Sequence, residues 1–331
     1  MKRLVIPFAL LATLSVLLGG CTQTCTEEVV IVEDVIYASH ADLQAQIAVG
    51  EAEPLREPGK IYYKDDYIFI NERNDGVHII DLHDANNPVN LKYIRIPGCV
   101  DVAVHGNALY ADSYSDLQVF DISNLNDIQH MQTVENVFPD SAELIGLDRD
   151  PSKVVVGLKR GVREMKVSCN ANNWGFQDED VVLAPESAGN GTAGSYARFS
   201  LVDDHLYTIS LGQMQAFDVS NALSPQKRSN TDIVDDAETV YAYEGNMFVG
   251  STTGLEIYDV TSSPGYPSLL SSVRHLNSSN CPKDPVVVQG NYAYSTLWTN
   301  SPCGDWDNVL EIFDISDLSN PSSVNKLPMK Q

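Results

Sequence analysis

The sequence predicts an all-β fold, a six-bladed β-propeller of four-stranded antiparallel blades, and three observations carry that prediction. First, one motif recurs: VHIIDL (Val77 to Leu82), LQVFDIS (Leu117 to Ser123), VREMKVS (Val162 to Ser168), MQAFDVS (Met214 to Ser220), LEIYDVT (Leu255 to Thr261) and LEIFDIS (Leu310 to Ser316). Aligned on its Asp, the motif falls at Asp81, Asp121, Lys166, Asp218, Asp259 and Asp314, in steps of 40, 45, 52, 41 and 55 residues. A period near 40 in a strand-rich unit marks a radially repeated architecture. Second, the motif strand is apolar on both faces, with Leu117 and Val119 on one and Phe120 and Ile122 on the other. A lone sheet would expose one face, whereas sheets stacked around an axis bury both. Third, the residues around each motif read as four short strands joined by tight turns.

Residues 1–20 lie outside that fold. Met1-Lys2-Arg3 is a basic start. Leu4 to Leu18 is an apolar run of 15 residues, interrupted by Pro7 and too short to span a bilayer comfortably. The run ends in Leu18-Gly19-Gly20-Cys21, and small residues before a cysteine resemble the lipobox of bacterial lipoproteins. That resemblance implies cleavage before Cys21, diacylation of its thiol and acylation of the new amino terminus with palmitate-like chains. The lipid would then tether the protein to the membrane without a spanning helix. Thr22, where an Asp would signal inner-membrane retention in enterobacterial sorting, implies the outer membrane by the same resemblance. Either its periplasmic or its surface side remains open.

Cleavage removes Lys2 and Arg3 and no acid, so the charge of −24 becomes −26 over 311 residues. Such a surface repels nucleic acid and anionic headgroups, which argues against a nucleic-acid partner. Lipidation of Cys21 leaves Cys25, Cys99, Cys169, Cys281 and Cys303. Beyond the inner membrane thiols tend to oxidise, and an odd count leaves at least one unpaired or bonded to another chain.

Residues 21–58 form a lipidated tether and N-terminal extension. Thr22 to Glu28 is polar, and Val29 to Tyr37 alternates as a β-branched edge strand. Ser39 can cap a helix through about Ile47, containing Ala41, Leu43 and Ala45. Glu51 to Pro58 is a two-proline connector. The segment is expected against the outside of the ring, a disordered spacer being the alternative.

Residues 59–331 carry the repeats. Unit two is the clearest: Val100 to His105, a Gly106-Asn107 turn, Ala108 to Tyr114, Leu117 to Ser123, then Gln129 to Val137. The first turn recurs as Asp65-Asp66, Asp203-Asp204, Gly245-Asn246 and Gly290-Asn291. Unit three departs most, with Asp148-Arg149-Asp150-Pro151 at that turn and Lys166 at the Asp position. The recurring Asp is expected to accept backbone hydrogen bonds and shape the next turn. Unit one begins with a first strand and unit six ends with a fourth, Ser322 to Met329. The ring can therefore close blade against blade, with seven blades as the alternative.

The segments GNALYADSYSDLQVFDIS (Gly106 to Ser123), GNMFVGSTTGLEIYDVT (Gly245 to Thr261), GNYAYSTLW (Gly290 to Trp298) and LEIFDISDLSNP (Leu310 to Pro321) resemble the LVIVD-repeat family. This family comprises bacterial and archaeal envelope proteins. The resemblance runs from about Gly59 to Met329 and implies a β-propeller. It implies no reaction, because the family has no common one.

Steps longer than 40 locate two insertions, Cys169 to Tyr196 and Trp298 to Asn308. All three tryptophans, Trp174, Trp298 and Trp306, fall in them. Tryptophan is enriched at binding hot spots, although these side chains can equally pin their own loops. Cys281 and Cys303 flank strands on one face of unit six, so a disulfide could brace the second loop. Asp101, Glu143, Glu238 and Asp284 stand where innermost strands begin. Around an axis they could converge on a cation such as Ca²⁺, although solvated carboxylates on an acidic protein are the plainer reading.

Other motifs fail. Gly250 to Gly254 resembles a nucleophile elbow but joins two strands, and no HExxH spacing occurs. The expectation is a non-enzymatic, lipid-anchored envelope module that needs no cofactor. It would bind a protein, a glycan or a cationic small molecule. The competing expectation is a metal-dependent hydrolase or lactonase built on the carboxylate ring.

Overall fold

The computed structural model describes residues 28–138, 150–165, 198–210, 212–234, 237–251, 253–275, 286–297 and 309–329. The chain divides into two compact bodies, residues 1–35 with 158–181, and residues 36–157 with 182–331. Every side-chain contact described below lies inside the larger body.

The N-terminal segment forms β1 (Glu28–Ser39), α1 (His40–Gln44) and β2 (Ala48–Glu51). Unit one is β3 (Pro58–Lys64), β4 (Tyr67–Glu72), β5 (Gly76–Asp81) and β6 (Val89–Arg95). Unit two is β7 (Val102–His105), β8 (Ala108–Ser113), β9 (Asp116–Asp121) and β10 (Gln129–Val134), and unit three contributes β11 (Lys153–Met165). Unit four is β12 (Phe199–Val202), β13 (His205–Ser210), β14 (Gln213–Asp218) and β15 (Gln226–Asp232). Unit five is β16 (Ala237–Tyr243), β17 (Asn246–Ser251), β18 (Gly254–Asp259) and β19 (Ser268–Arg274). Unit six is β20 (Val286–Gln289), β21 (Tyr292–Leu297), β22 (Val309–Asp314) and β23 (Ser322–Pro328).

Among the described residues these strands make six sheets, one per repeat unit, and the fold is all-β with blade-like antiparallel meanders. Units two, four, five and six are four-stranded, and unit one gains β2 as a fifth strand on the outer edge of β6. Of the extension, β2 thus lies on an outer sheet edge, while β1 pairs with β11. Unit three differs: its expected second and third strands run on as the single strand β11, paired with β1 in a two-stranded sheet. Elsewhere a tight reversal divides those strands, as at Tyr114 (φ 54°) and Gly212 (φ 70°). In unit three the backbone partners come instead from the N-terminal strand, which satisfies the same hydrogen-bonding groups.

The first turns of units one, two, four and six fall where their residues predict, and in unit five the turn is Glu244-Gly245, one residue earlier than expected, because Tyr243 pairs with Asn246. Asp65, Asp66, Gly106, Asp203, Gly245 and Gly290 all have positive φ, as two-residue hairpins require. The repeated Asp is structural: Asp81, Asp121, Asp218, Asp259 and Asp314 each accept the backbone N–H two residues on, at 2.8–3.0 Å. Those bonds hold the pKa values of Asp81, Asp121 and Asp314 below the usual carboxylate range, and for Asp218 and Asp259 the side-chain hydrogen bonds of Ser220 and Ser262 lead the same lowering. Ser39 caps α1 by accepting the Asp42 N–H at 3.0 Å. The helix stops at Gln44, so Ile47 lies beyond it, packed on the first core cluster.

Both faces of the motif strand are buried, in different clusters. Phe120 packs with Phe69, Ile79 and Ile94 of unit one, while Leu117 and Val119 pack with Phe199, Leu206 and Phe217 of unit four. Similar clusters join units four and five, and units five and six. Units two and four thus touch directly, through their innermost strands β7 and β12. Burying one such aromatic or aliphatic side chain contributes about 1.5–3 kcal/mol.

Candidate functional site

The innermost strands of units one, two and four begin at one end of their sheets, and a buried ionic cluster sits there. Gly98, at φ 73° against the ring of Tyr114, turns the chain out of unit one. Cys99 follows, with its carbonyl bonded by the Asn71 side chain at 2.9 Å and the Asn74 N–H at 2.8 Å. This turn delivers Asp101 to the head of β7 with its side chain fully enclosed.

Both oxygens of Asp101 are engaged. Oδ1 meets the Lys60 ammonium at 2.6 Å and accepts the Val102 N–H at 2.6 Å. Oδ2 accepts the N–H groups of Arg198 and Phe199 at 2.6 and 3.0 Å. Asp112, at the end of β8, accepts the N–H groups of Val100 and Asp101 at 2.8 and 2.9 Å and pairs with the Arg198 guanidinium at 3.0 Å. Arg198 also lies over the Phe138 ring, 5.5 Å from its centroid. Burial pushes both carboxyls up in pKa, while Lys60 and Arg198 pull the other way. The two cations are 21% and 28% exposed, so the cluster is sealed below and wet on its cationic side.

A second recurring device lies three residues before the repeated Asp, where His78, Gln118, Gln215, Glu256 and Glu311 interrupt an apolar strand. Gln215 donates to the Val137 carbonyl of unit two, and Glu256 accepts the Val234 N–H of unit four at 3.1 Å. Glu311 meets His275 Nδ1, at the end of unit five, at 2.7 Å. In unit one, His78 bonds Glu72 at 2.9 Å, and Glu72 in turn accepts the N–H groups of Arg56 and Glu57. The connector thus supplies in unit one the contact that a preceding sheet supplies in units four, five and six, whereas Gln118 bonds His130 and Thr133 within its own sheet. Burial raises the pKa of Glu72 and Glu311, but their hydrogen bonds outweigh it and both end lower than usual. Such buried polar groups join sheets because each would cost about 1–3 kcal/mol if left unpaired.

The sequence-predicted residues fare as follows. Asp101 is an ion-pair anchor. Glu143 and Asp284 lie outside the described residues, and only the backbone of Glu238 is described. Among the described residues no group of three or more His, Cys, Asp or Glu could hold a metal ion. Trp174, Trp298, Trp306, Cys21, Cys281 and Cys303 also lie outside the described residues, as do Cys25 and Cys169. The strands that bracket the second loop end at Leu297 and begin at Val309, which pair directly. That is the sheet end equivalent to Asp101 in unit two. Cys99 is a free, buried thiol whose pKa burial pushes well up, which makes it inert.

Sequence reasoning missed Lys60, Asp112 and Arg198. The available signal was an acid inside the apolar second strand ALYADS and a polar residue at a fixed motif position. A groove of about 250 Å³ at the opposite end of units one and two is lined by Lys64, Tyr67, Val104, Asn107 and Ile122.

The LVIVD repeat matches residues 99–135, 235–275 and 284–327. Among solved structures, the chain is similar to a protein from Lactobacillus plantarum, with 12% identity and a TM-score of 0.54 over 84% of this chain and 73% of that one. It is also similar to the Neurospora crassa Pan2 WD40 domain (8% identity, TM-score 0.47, 89% of this chain and 72% of that one). A third likeness is to a 6-phosphogluconolactonase, named as putative, from Bacteroides fragilis (11%, TM-score 0.46, 81% and 69%). At these identities the likeness concerns fold alone. No curated protein matches the chain.

Proposed function

From the premise that the chain is an LVIVD-repeat β-propeller, we propose that it is a lipid-anchored cell-envelope module that binds or scaffolds and does not catalyse. The observation that carries this reading is the use made of its buried charge. Asp101, Asp112, Glu72 and Glu311 are each consumed by bonds that fasten one segment of the sheet array to another. Groups committed in this way hold a rigid platform and leave recognition to the loops at its rim.

Cys21 is the proposed anchor and the outer membrane the proposed location. The loop carrying Trp298 and Trp306 is the proposed contact surface, at the same sheet end as Lys60, Asp101 and Arg198. An aromatic wall there suits a partner protein's loop, a glycan or a cationic small molecule.

Two substitutions test this. Cys21→Ser should move the protein from the membrane fraction to the soluble fraction or leave its precursor uncleaved; normal processing and membrane retention refute the anchor. Trp298→Ala with Trp306→Ala should weaken capture of a ligand found by array screening, with little change in melting temperature. A loss of several degrees with unchanged capture would make the tryptophans loop pins and remove the proposed surface.

A further inference from the structure

Where one sheet packs on the next, a side-chain hydroxyl usually bonds a carbonyl in the turn after the next sheet's motif strand. Tyr110 of unit two donates to the Ala222 carbonyl of unit four at 2.6 Å. Tyr207 of unit four donates to the Pro264 carbonyl of unit five at 2.8 Å. Unit five has Phe248 in the tyrosine's place, paired with Ile257 as Tyr110 is with Val119. There Ser271, of the fourth strand, takes over and donates to the Leu318 carbonyl of unit six at 2.6 Å. Ala222 and Leu318 each stand four residues after the motif Asp of their unit.

The junction of units one and two lacks both donors. The residue four after Asp121 is Leu125. Unit one offers it Phe69, paired with Ile79, in the tyrosine's place. In the place of Ser271 it has Lys92, which pairs with Ile79 as Ser271 pairs with Ile257. The Lys92 ammonium turns instead to Glu51 of β2, at 2.7 Å. Among the described residues no group donates to the Leu125 carbonyl. The groove of about 250 Å³ opens at this same junction, with Phe69 and Leu125 in its lining.

The lining states what the groove can hold. Phe69 and Val104 are buried, and Tyr67, Ile122 and Leu125 are half-buried members of the same apolar cluster. The polar groups at the rim are already engaged. Lys64 pairs with Asp65 at 3.2 Å, the Asn107 amide donates to Asp121 at 3.0 Å, and the Ser123 N–H donates to Asp121 at 2.8 Å. The volume is below the roughly 300 Å³ at which drug-sized sites begin, so it suits one ring. A sugar would bring several hydroxyls to apolar walls, and each one left unpaired weakens binding.

We propose that this groove binds a single-ring phenol, with the ring against Phe69, Val104 and Ile122 and the hydroxyl donating to the Leu125 carbonyl. The ligand supplies the hydroxyl that Tyr110, Tyr207 and Ser271 supply at the other junctions. The site lies at the sheet end opposite Lys60, Asp101 and Arg198, so it stands apart from the contact surface proposed for the Trp298 and Trp306 loop.

The test is ligand-observed NMR on the full chain, with phenol and anisole at millimolar concentration. Anisole keeps the ring and the oxygen but has no proton to donate. Phenol should bind saturably and about three- to tenfold more tightly than anisole, the worth of one net hydrogen bond. Phe69→Tyr should place a hydroxyl of the chain itself at the carbonyl, raise the melting temperature by about 2 °C and weaken phenol at least about tenfold. Phe248→Tyr faces a carbonyl that Ser271 already occupies and should leave phenol binding unchanged. No saturable phenol binding, equal binding of anisole, or undiminished phenol binding by Phe69→Tyr each overturns the proposal.

Discussion

Asp101→Ala should be among the most damaging single substitutions in the described structure. The carboxylate binds Lys60 Nζ at 2.6 Å and the N–H groups of Arg198 and Phe199, so one truncation affects units one, two and four together. Removing one partner of a buried ion pair costs about 3–5 kcal/mol, because it strands the other charge. Lys60 is 21% exposed and can hydrate its orphaned ammonium, which favours the lower end. The stranded N–H of Phe199, a 4%-exposed residue, pushes the other way by about 1–3 kcal/mol. The expected loss is therefore about 3–5 kcal/mol, read as a lower urea midpoint at unchanged slope. Lys60→Met should cost less, because Asp101 keeps its three N–H donors. The double mutant should cost clearly less than the sum of the singles. A loss below about 1 kcal/mol for Asp101→Ala, or full additivity with Lys60→Met, would refute the anchoring role.

His40 makes a pH prediction. Its Nδ1 meets Asp116 at 2.6 Å and its Nε2 the Pro151 carbonyl at 3.0 Å, so the ring donates from both nitrogens. Burial opposes the charged ring, but those bonds outweigh it and its pKa is raised. The stabilisation is complete below the unfolded value of about 6.5 and is lost as pH rises through the raised folded value. Melting temperature should fall over that window and fall less in His40→Gln; identical profiles contradict the assignment. Gly254→Ala should destabilise by about 3 kcal/mol, since a Cβ there would overlap the Val273 carbonyl oxygen and approach Arg274 Cα. A neutral result in thermal unfolding would be inconsistent with that packing. A Cys281–Cys303 bridge would close a loop worth about 3 kcal/mol; non-reducing peptide maps that recover both as free thiols exclude it.

The repeat made most of the fold legible, for a physical reason. A strand apolar on both faces, restated near every 40 residues, has few stable solutions other than stacked sheets. Leu117 and Val119 against Phe120 separated into two clusters as alternation requires. The Asp at each motif end was correctly read as a turn former. Unit three, the most divergent in sequence, was the least legible, because local alternation cannot say which strand supplies the partner. Val162 to Ser168 resembles the motif, yet its strand runs on from Lys153 and pairs with β1.

The ionic cluster was only half visible. Asp101 stood out as an acid before an innermost strand, which suggested a cation site. The neutralising groups come from residues 41 before and 97 after it, Lys60 and Arg198, and no local pattern links them. The second-strand aromatic opposite the residue two before the motif Asp (Phe69, Tyr110, Tyr207, Phe248 and Tyr294) was equally hidden. It is Phe in two units and Tyr in three, and its register appears only once the strands are paired.

The central claim is that the carboxylates at the strand heads serve architecture and not chemistry. The most direct test is metal content and turnover of the full-length protein purified without chelator. The account predicts less than stoichiometric calcium, a melting temperature unmoved by chelator, and no hydrolysis of ester or lactone substrates. Stoichiometric calcium, lost together with lactone turnover on chelation, would contradict it.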